Sequence, residues 1–225
     1  MAINLTKGQR IDLTKKSDNG VSGGALTKFC IGVNWGAIEK TVTQEVTEGG
    51  FFGFGGTKKR IQKIEKEAVD LDASCVLLNT NNDIIDIVYY GQLKSKDTSI
   101  IHSGDDLEGD MDGDDGLDNE VISVDLTKID ARVDKIVFFL NSYKKQDFAD
   151  VPFASIRLYE GTPEKVDRVF AGYDIATDST FKGFISMIMG KLYKRNGEWK
   201  FNAIGEPTRD KDLNETLITI TKKFV

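Results

Sequence analysis

Apolar side chains alternate along Phe29-Cys30-Ile31-Gly32-Val33-Asn34-Trp35 and again along Val69-Asp70-Leu71-Asp72-Ala73-Ser74-Cys75. A period of two residues is that of a β-strand with one buried face. The same pattern recurs in short blocks that are separated by Gly, Asn and Asp, which favour turns. We therefore expect a protein built from many short strands.

Eight further segments show the strand pattern. They are residues 84–90, 121–126, 136–140, 153–159, 169–173, 184–193, 199–204 and 217–220. Short helical turns are expected around residues 127–133 and 146–151. Tight hairpin turns are expected at residues 79–83 and 195–198, because Asn and Gly tolerate positive φ. So many one-faced strands predict an all-β fold, a two-sheet β-sandwich with a few short helical turns.

The composition indicates a globular protein. The 225 residues are 40% hydrophobic and 29% charged with only 3 Pro, which excludes collagenous and wholly disordered chains. The apolar runs are far shorter than the ~20 residues of a membrane-spanning helix, and the N-terminus lacks the features of a secretory signal. We expect a single cytoplasmic domain over residues 1–225, without direct membrane insertion, and with a Gly/Phe-rich insertion at about residues 37–66 that includes Gly49–Gly56.

Acidic side chains are concentrated in one short segment. The net charge is −6, yet residues 105–120 alone hold nine acidic and no basic side chains, so the rest of the chain is net positive. A dense acidic segment repels phosphates, and nucleic acid is therefore not an expected partner.

Cysteine and histidine are too few for several kinds of site. Cys30 and Cys75 each lie within an apolar stretch, as reduced core thiols do, and His102 is the single histidine. A His/Cys zinc site or a Ser-His-Asp triad would depend on this one residue. We interpret His102 as an ordinary polar residue that leads into a loop.

The acidic segment has the composition of a cation site. Clustered carboxylates repel one another unless the loop stays open or cations hold it together. Many hard oxygen ligands favour Ca²⁺, which accepts six to eight of them, and the interleaved glycines allow the backbone to turn carbonyls inward. The spacing does not fit an EF-hand, because Asp115 occupies the glycine position and Val121 the position of the bidentate Glu.

A second group of carboxylates precedes the acidic segment. On a strand, Asp70, Asp72 and Ser74 point to one face while Leu71 and Ala73 point to the core. Two carboxylates at i and i+2 repel unless a cation bridges them. Spacing alone leaves three alternatives open: a metal site, a solvated acidic loop, and an acidic arm that docks to a partner.

These residues also resemble a known family. Asp70-Leu71-Asp72-Ala73-Ser74, Gly113-Asp114-Asp115-Gly116-Leu117-Asp118-Asn119-Glu120 and Glu198-Trp199-Lys200-Phe201-Asn202-Ala203-Ile204-Gly205 appear in the order seen in the TerD family of tellurium-resistance and stress proteins, and most resemble its TerZ-type members. The resemblance implies a cytoplasmic β-sandwich that binds Ca²⁺ and has no known catalytic activity. The metal ligands it implies are Asp70, Asp72, Asp105, Asp106, Asp114, Asp115, Asp118 and Glu120.

The resemblance also implies how the protein acts. The expected function is a non-catalytic stress response through a calcium-ordered acidic loop that binds protein partners, with a membrane-associated resistance complex as the candidate assembly. Two alternatives are a metal-independent interaction module that docks through the same loop, and a metal-assisted hydrolase.

Overall fold

The structure is a computed structural model that describes residues 3–4, 9–16, 22–48, 57–176 and 178–225. The segment Gly49–Gly56 of the expected insertion lies outside the described residues. In chain order the strands are β1 (Ile3–Asn4), β2 (Arg10–Asp12), β3 (Thr14–Lys16), β4 (Ser22–Ala25), β5 (Lys28–Trp35), β6 (Ile38–Glu48), β7 (Thr57–Glu67), β8 (Leu71–Leu78), β9 (Ile84–Val88), β10 (Ile100–His102), β11 (Glu120–Asp125), β12 (Lys135–Ser142), β13 (Ala154–Thr162), β14 (Lys165–Asp174), β15 (Ser186–Arg195) and β16 (Glu198–Thr208).

Most of these strands form two six-stranded sheets. The strand order is β1-β14-β13-β5-β11-β10 in one sheet and β2-β16-β15-β12-β8-β9 in the other. All pairs in both sheets are antiparallel except β1 with β14. The all-β sandwich predicted from alternation is therefore confirmed.

The core lies between the two sheets. Ile31, Val33 and Trp35 of β5 face Leu71 and Ala73 of β8 across one apolar cluster. These are the alternate positions that the sequence predicted to be buried. Both cysteines are buried free thiols, and burial raises the pKa of each thiol.

The turns agree with the prediction at both hairpins and at one of the two expected helical turns. Asn82, Asn196 and Gly197 adopt positive φ as expected, and a 3₁₀ turn forms at Phe148–Asp150. The helical turn expected at residues 127–133 is wrong, since these residues form only turns and bends. The Asp130 carboxylate accepts the Arg132 N–H at 2.9 Å there and holds a non-helical turn.

The C-terminal segment corrects another prediction. Residues 217–220 do not form a strand, because they belong to a helix, α1 (Leu213–Lys223). Leu213, Leu217 and Ile220 recur at helical spacing and pack on the outer face of the β8-containing sheet. Asp212 caps the helix by accepting the Glu215 N–H at 3.0 Å. Among the described residues, no helix has the length and apolar character to cross a membrane.

Two further sheets have two strands each. One pairs β3 with β4, and the other pairs β6 with β7 within the expected insertion. Strands β6 and β7 pair regularly from end to end, with Ile38 opposite Glu67 and Glu48 opposite Thr57. The sequence did not predict these two strands.

Candidate metal centre

The acidic loop, residues 103–119 between β10 and β11, covers one end of the sandwich. Backbone hydrogen bonds attach it to the ends of the neighbouring strands. Asp110 N donates to Trp35 O at 3.0 Å, and Val69 N donates to Glu108 O at 3.0 Å. The loop is thereby fixed next to the start of β8, where Asp70 and Asp72 lie.

Hydrogen bonds of Trp35 and Asn119 hold the loop against the strand ends. The buried Trp35 indole donates to Val69 O at 2.9 Å, and the Trp35 backbone N–H donates to Asn119 Oδ1 at 2.8 Å. Asn119 Nδ2 in turn donates to Asp110 Oδ1 at 3.0 Å. Gly109 is required at its position, because it has φ +70° and a Cβ there would lie 2.5 Å from the Trp35 ring.

Three carboxylates from the strand and the loop form the first group, which we call the strand site. Oxygen atoms of Asp70, Asp72 and Asp105 all lie within 4.8 Å of one another. Asp70 and Asp72 are buried, whereas Asp105 is exposed. Asp70 Oδ1 is buried and has no hydrogen-bond partner among the described residues, and Lys144 Nζ is 3.9 Å from the other oxygen.

The electrostatics of the strand site disfavour its charged, metal-free form. Burial raises the pKa of Asp72 to about 8, and the carboxylates of Glu120, Asp70 and Asp105 add to this effect. Burial also raises the pKa of Asp70, although Lys144 opposes the shift. Such carboxylates take up either a proton or a cation at neutral pH.

Three carboxylates within the loop form the second group, which we call the loop site. Oxygen atoms of Asp110, Asp114 and Asp115 lie within 4.8 Å of one another. Asn34 Nδ2 donates to Asp114 Oδ1 at 2.9 Å and ties the site to β5. Burial raises the pKa of Asp110. The predicted ligand set contained Asp114 and Asp115 but not Asp110, although Asp110 is one of the nine acids in the segment.

The predicted ligands Asp106 and Asp118 lie outside both groups. The Asp106 carboxylate accepts the N–H groups of Glu108 and Gly109, each at 2.9 Å, and so shapes the loop. Asp118 is buried against Arg157, whose Nε lies 2.8 Å and 2.9 Å from its two oxygens. Burial raises the pKa of Asp118, although Arg157 opposes the shift. This pair could not be predicted from the sequence, because its members are 39 residues apart.

The predicted ligand Glu120 is buried beneath the strand site. It accepts the Ala73 N–H at 2.7 Å and the Asp106 N–H at 3.2 Å, and it thus links β8 to the acidic loop. His102 Nε2 is 3.3 Å from Glu120 Oε2 and 3.0 Å from Ala73 O, while Nδ1 accepts the Gly104 N–H at 3.1 Å. Because Nδ1 accepts a hydrogen bond, His102 is in its Nε2–H form, with both ring nitrogens occupied.

Comparisons with known proteins agree with this architecture. The sequence model of the TerD domain matches residues 1–219. The stress response protein SCP2 of Bacillus subtilis (strain 168) is 35% identical and covers 96% of this chain and 98% of its own. The tellurium resistance protein TerZ of Serratia marcescens is 30% identical over 95% of this chain and 94% of its own.

A solved structure has the same fold. The crystal structure of a homologue of the telluride resistance protein TerD from Streptomyces coelicolor A3(2) superimposes with a TM-score of 0.59. It covers 88% of this chain and 96% of its own at 10% sequence identity.

Proposed function

Because the chain belongs to the TerD family of tellurium-resistance and stress proteins, we propose that it is a calcium-binding, non-catalytic stress-response protein of the cytoplasm. In this proposal the acidic loop acts as a calcium-ordered surface that binds protein partners. Asp70, Asp72 and Asp105 hold one ion, and Asp110, Asp114 and Asp115 hold a second.

One observation carries the proposal. Asp70 Oδ1 is buried without a hydrogen-bond partner among the described residues. Its carboxylate belongs to a group of three whose oxygen atoms lie within 4.8 Å of one another. A buried carboxylate oxygen that is neither hydrogen-bonded nor paired costs free energy. A bound cation removes this cost and the mutual repulsion of the three carboxylates together.

The donor set favours Ca²⁺ over Mg²⁺. Both groups offer only hard oxygen atoms, which are the ligands that Ca²⁺ prefers. Mg²⁺ requires a smaller and more rigid octahedron, whereas Ca²⁺ accepts six to eight ligands in flexible geometry. Asp118 is not a ligand in this proposal, because Arg157 already neutralises it.

The loop also carries the apolar side chains that a partner surface needs. Leu107 and Leu117 are both exposed, at 54% and 49%. Leu107 follows Asp105 and Asp106, and Leu117 follows the loop site, so ion binding would fix the position of both leucines. Exposed leucines on an ordered loop can dock to an apolar surface of a protein partner.

The chemistry of the described residues supports a non-catalytic role. A general base needs a free lone pair that can reach the substrate. Both ring nitrogens of His102 are occupied within the fold, and Arg157 is paired with Asp118. These two residues are therefore not available as the base and the electrophile of a hydrolase.

A metal-independent docking loop is the second candidate. The Trp35 N–H and the Asn119 amide donate hydrogen bonds, and the Asp106 carboxylate accepts one, that already hold much of the loop without an ion. In this alternative the acidic surface binds a basic partner, and calcium affects neither the stability of the protein nor its binding to that partner.

A complementation experiment tests the role in stress resistance. A strain that lacks this gene should regain tellurite tolerance from the wild-type gene but not from Asp72→Asn combined with Asp105→Asn, because the strand site then loses two of its three carboxylates. Asp112→Asn is the matched control, since Asp112 is fully exposed and outside both groups. Full protection by the double variant, at equal protein level, would contradict the proposal.

A further inference from the structure

Beyond Ile38 at its base, the described part of the β6–β7 hairpin adds no residue to the core of the sandwich. Its strands pair only with each other among the described residues, in an unbroken register of eleven residue pairs. Eleven residues of strand extend about 35 Å. An isolated two-stranded hairpin is marginally stable in water, and at least three strands with an apolar face are usually needed.

The hairpin also exposes apolar side chains. Ile61 is 43% exposed and Ile64 is 61% exposed, while Val42 and Val46 are partly buried. Val42, Val46 and Ile61 share one face, because directly paired residues lie on the same side of a sheet and alternate residues return to it. Both outer edges of the hairpin offer backbone groups to a further strand.

Four central registers of the β7 edge, those centred on residues 60 to 63, oppose like charges when the strand pairs with its own copy. In a two-fold antiparallel pair of identical strands, one central residue faces itself, and its neighbours face their opposites at equal distance. Centring on Arg60 or Lys63 places that cation against itself. Centring on Ile61 opposes Lys59 with Lys63, and centring on Gln62 opposes Lys58 with Lys66. Each of these registers is therefore destabilised by like charges.

The β6 edge, in contrast, is complementary to itself in one register. When Gln44 is the centre, Val42 faces Val46 of the second copy and Lys40 faces Glu48 of the second copy, each twice. Centring on Val42 instead opposes Glu39 with Glu45, and centring on Thr43 places Lys40 against Val46. Only the Gln44 register of these three pairs both the apolar and the charged side chains.

The charges needed for this register remain accessible. Lys40 contacts Glu67 and Glu48 contacts Lys59 across the hairpin, yet Lys40 is still 59% exposed and Glu48 66% exposed. We infer that a second copy of this chain pairs with β6 along its open edge, antiparallel and centred on Gln44, to form a four-stranded sheet between two sandwiches. Val42, Val46 and Ile61 of both copies then form a shared apolar strip on one face.

A charge-swap experiment tests this pairing. Lys40→Glu alone opposes two glutamates in both outer pairs of the homodimer, and Glu48→Lys alone opposes two lysines, so each variant should self-associate about tenfold or more weakly than the wild type. An equimolar mixture of the two variants should regain dimers, because every outer pair is again of opposite charge. Sedimentation velocity over a range of concentrations measures both effects.

Substitution of the apolar residues provides a matched pair of variants. Val42→Lys should abolish the dimer, whereas Ile64→Lys, the same kind of change on β7 and the opposite face, should leave it intact. A wild-type protein that stays monomeric up to millimolar concentration overturns the inference. So does a mixture of Lys40→Glu and Glu48→Lys that associates no better than either variant alone. The proposed calcium sites are unaffected by either result.

Discussion

Calcium is expected to raise the melting temperature of this protein by about 10 °C or more. A ligand that binds only the folded state stabilises it by RT ln(1 + [L]/Kd), about 2.7 kcal/mol for each site at a hundredfold excess over Kd. With both sites filled, the free energy of unfolding rises by about 5 kcal/mol. The melting temperature of a chain of this size shifts by ~2–4 °C per kcal/mol. Differential scanning calorimetry with and without calcium measures the shift.

Two controls accompany this measurement. A chelator should return the melting temperature to its original value, and Mg²⁺ at the same concentration should give a clearly smaller shift. An unchanged melting temperature in millimolar calcium would contradict the proposed metal sites and favour the metal-independent docking loop.

Asp72→Asn is expected to stabilise the metal-free protein while it removes the strand site. At pH 8 the free energy of unfolding without calcium should rise by roughly 2 kcal/mol, because the amide needs no counter-charge next to Asp70 and Glu120. The stabilisation that calcium adds should fall to about half of the wild-type value, since only the loop site remains. Asp112→Asn, which removes the same charge from an exposed residue outside both groups, should change neither value appreciably.

The stability of the metal-free wild type should also depend on pH. The pKa of Asp72 in the folded state is about 8, above its ordinary value of ~3.9 in the unfolded chain. Between these values the folded state binds more protons than the unfolded state, so this stabilising contribution is complete below pH ~4 and is lost as pH rises through 8. Burial raises the pKa of Asp70 and Glu120 in the same direction.

Urea denaturation at pH 5, 7 and 9 without calcium tests this dependence. The wild type should lose stability as pH rises, and Asp72→Asn should lose distinctly less. If Asp72→Asn is less stable than the wild type at every pH, the buried carboxylate does not repel its neighbours and the account of the strand site is wrong.

The sandwich could be predicted because its strands each bury one face. Alternate residues of these strands face the core, as Ile31, Val33 and Trp35 do in β5 and Leu71 and Ala73 do in β8. Among the described residues of the β6–β7 hairpin, Ile38 at its base belongs to the core, whereas Val42, Val46, Ile61 and Ile64 lie outside the core clusters. Their spacing follows no strict alternation, so this segment showed no strand pattern in the sequence. Among the described residues neither strand pairs with a strand of the sandwich, which leaves the outer edge of β6 open to a partner.

The C-terminal helix was misread for a different reason. Ile218, Thr219 and Ile220 are β-branched residues, which favour strands, but their segment also contains Leu213 and Leu217 at helical spacing from Ile220. Packing against the outer face of a sheet outweighs local propensity here. The Asp212 cap was the available signal for the start of a helix.

At the candidate site, the sequence predicted two concentrations of carboxylates but not how the fold divides them into groups. The nine acids of residues 105–120 and the Asp70/Asp72 pair are evident from spacing alone. The separation into a strand site and a loop site depends on how Asn119 and Trp35 fold the loop. Asp118 lies just before β11, and Arg157 lies on β13. They meet because β11 and β13 both pair with β5, which their separation in the sequence does not reveal.

Isothermal titration of calcium into the purified protein tests the central claim most directly. We predict two bound ions per chain for the wild type, one for Asp72→Asn combined with Asp105→Asn, and two for Asp112→Asn. Calcium binding to the strand site should release protons near pH 7, because Asp72 must give up its proton. Absence of binding heat at pH 6 and at pH 8, together with an unchanged melting temperature, would contradict the account.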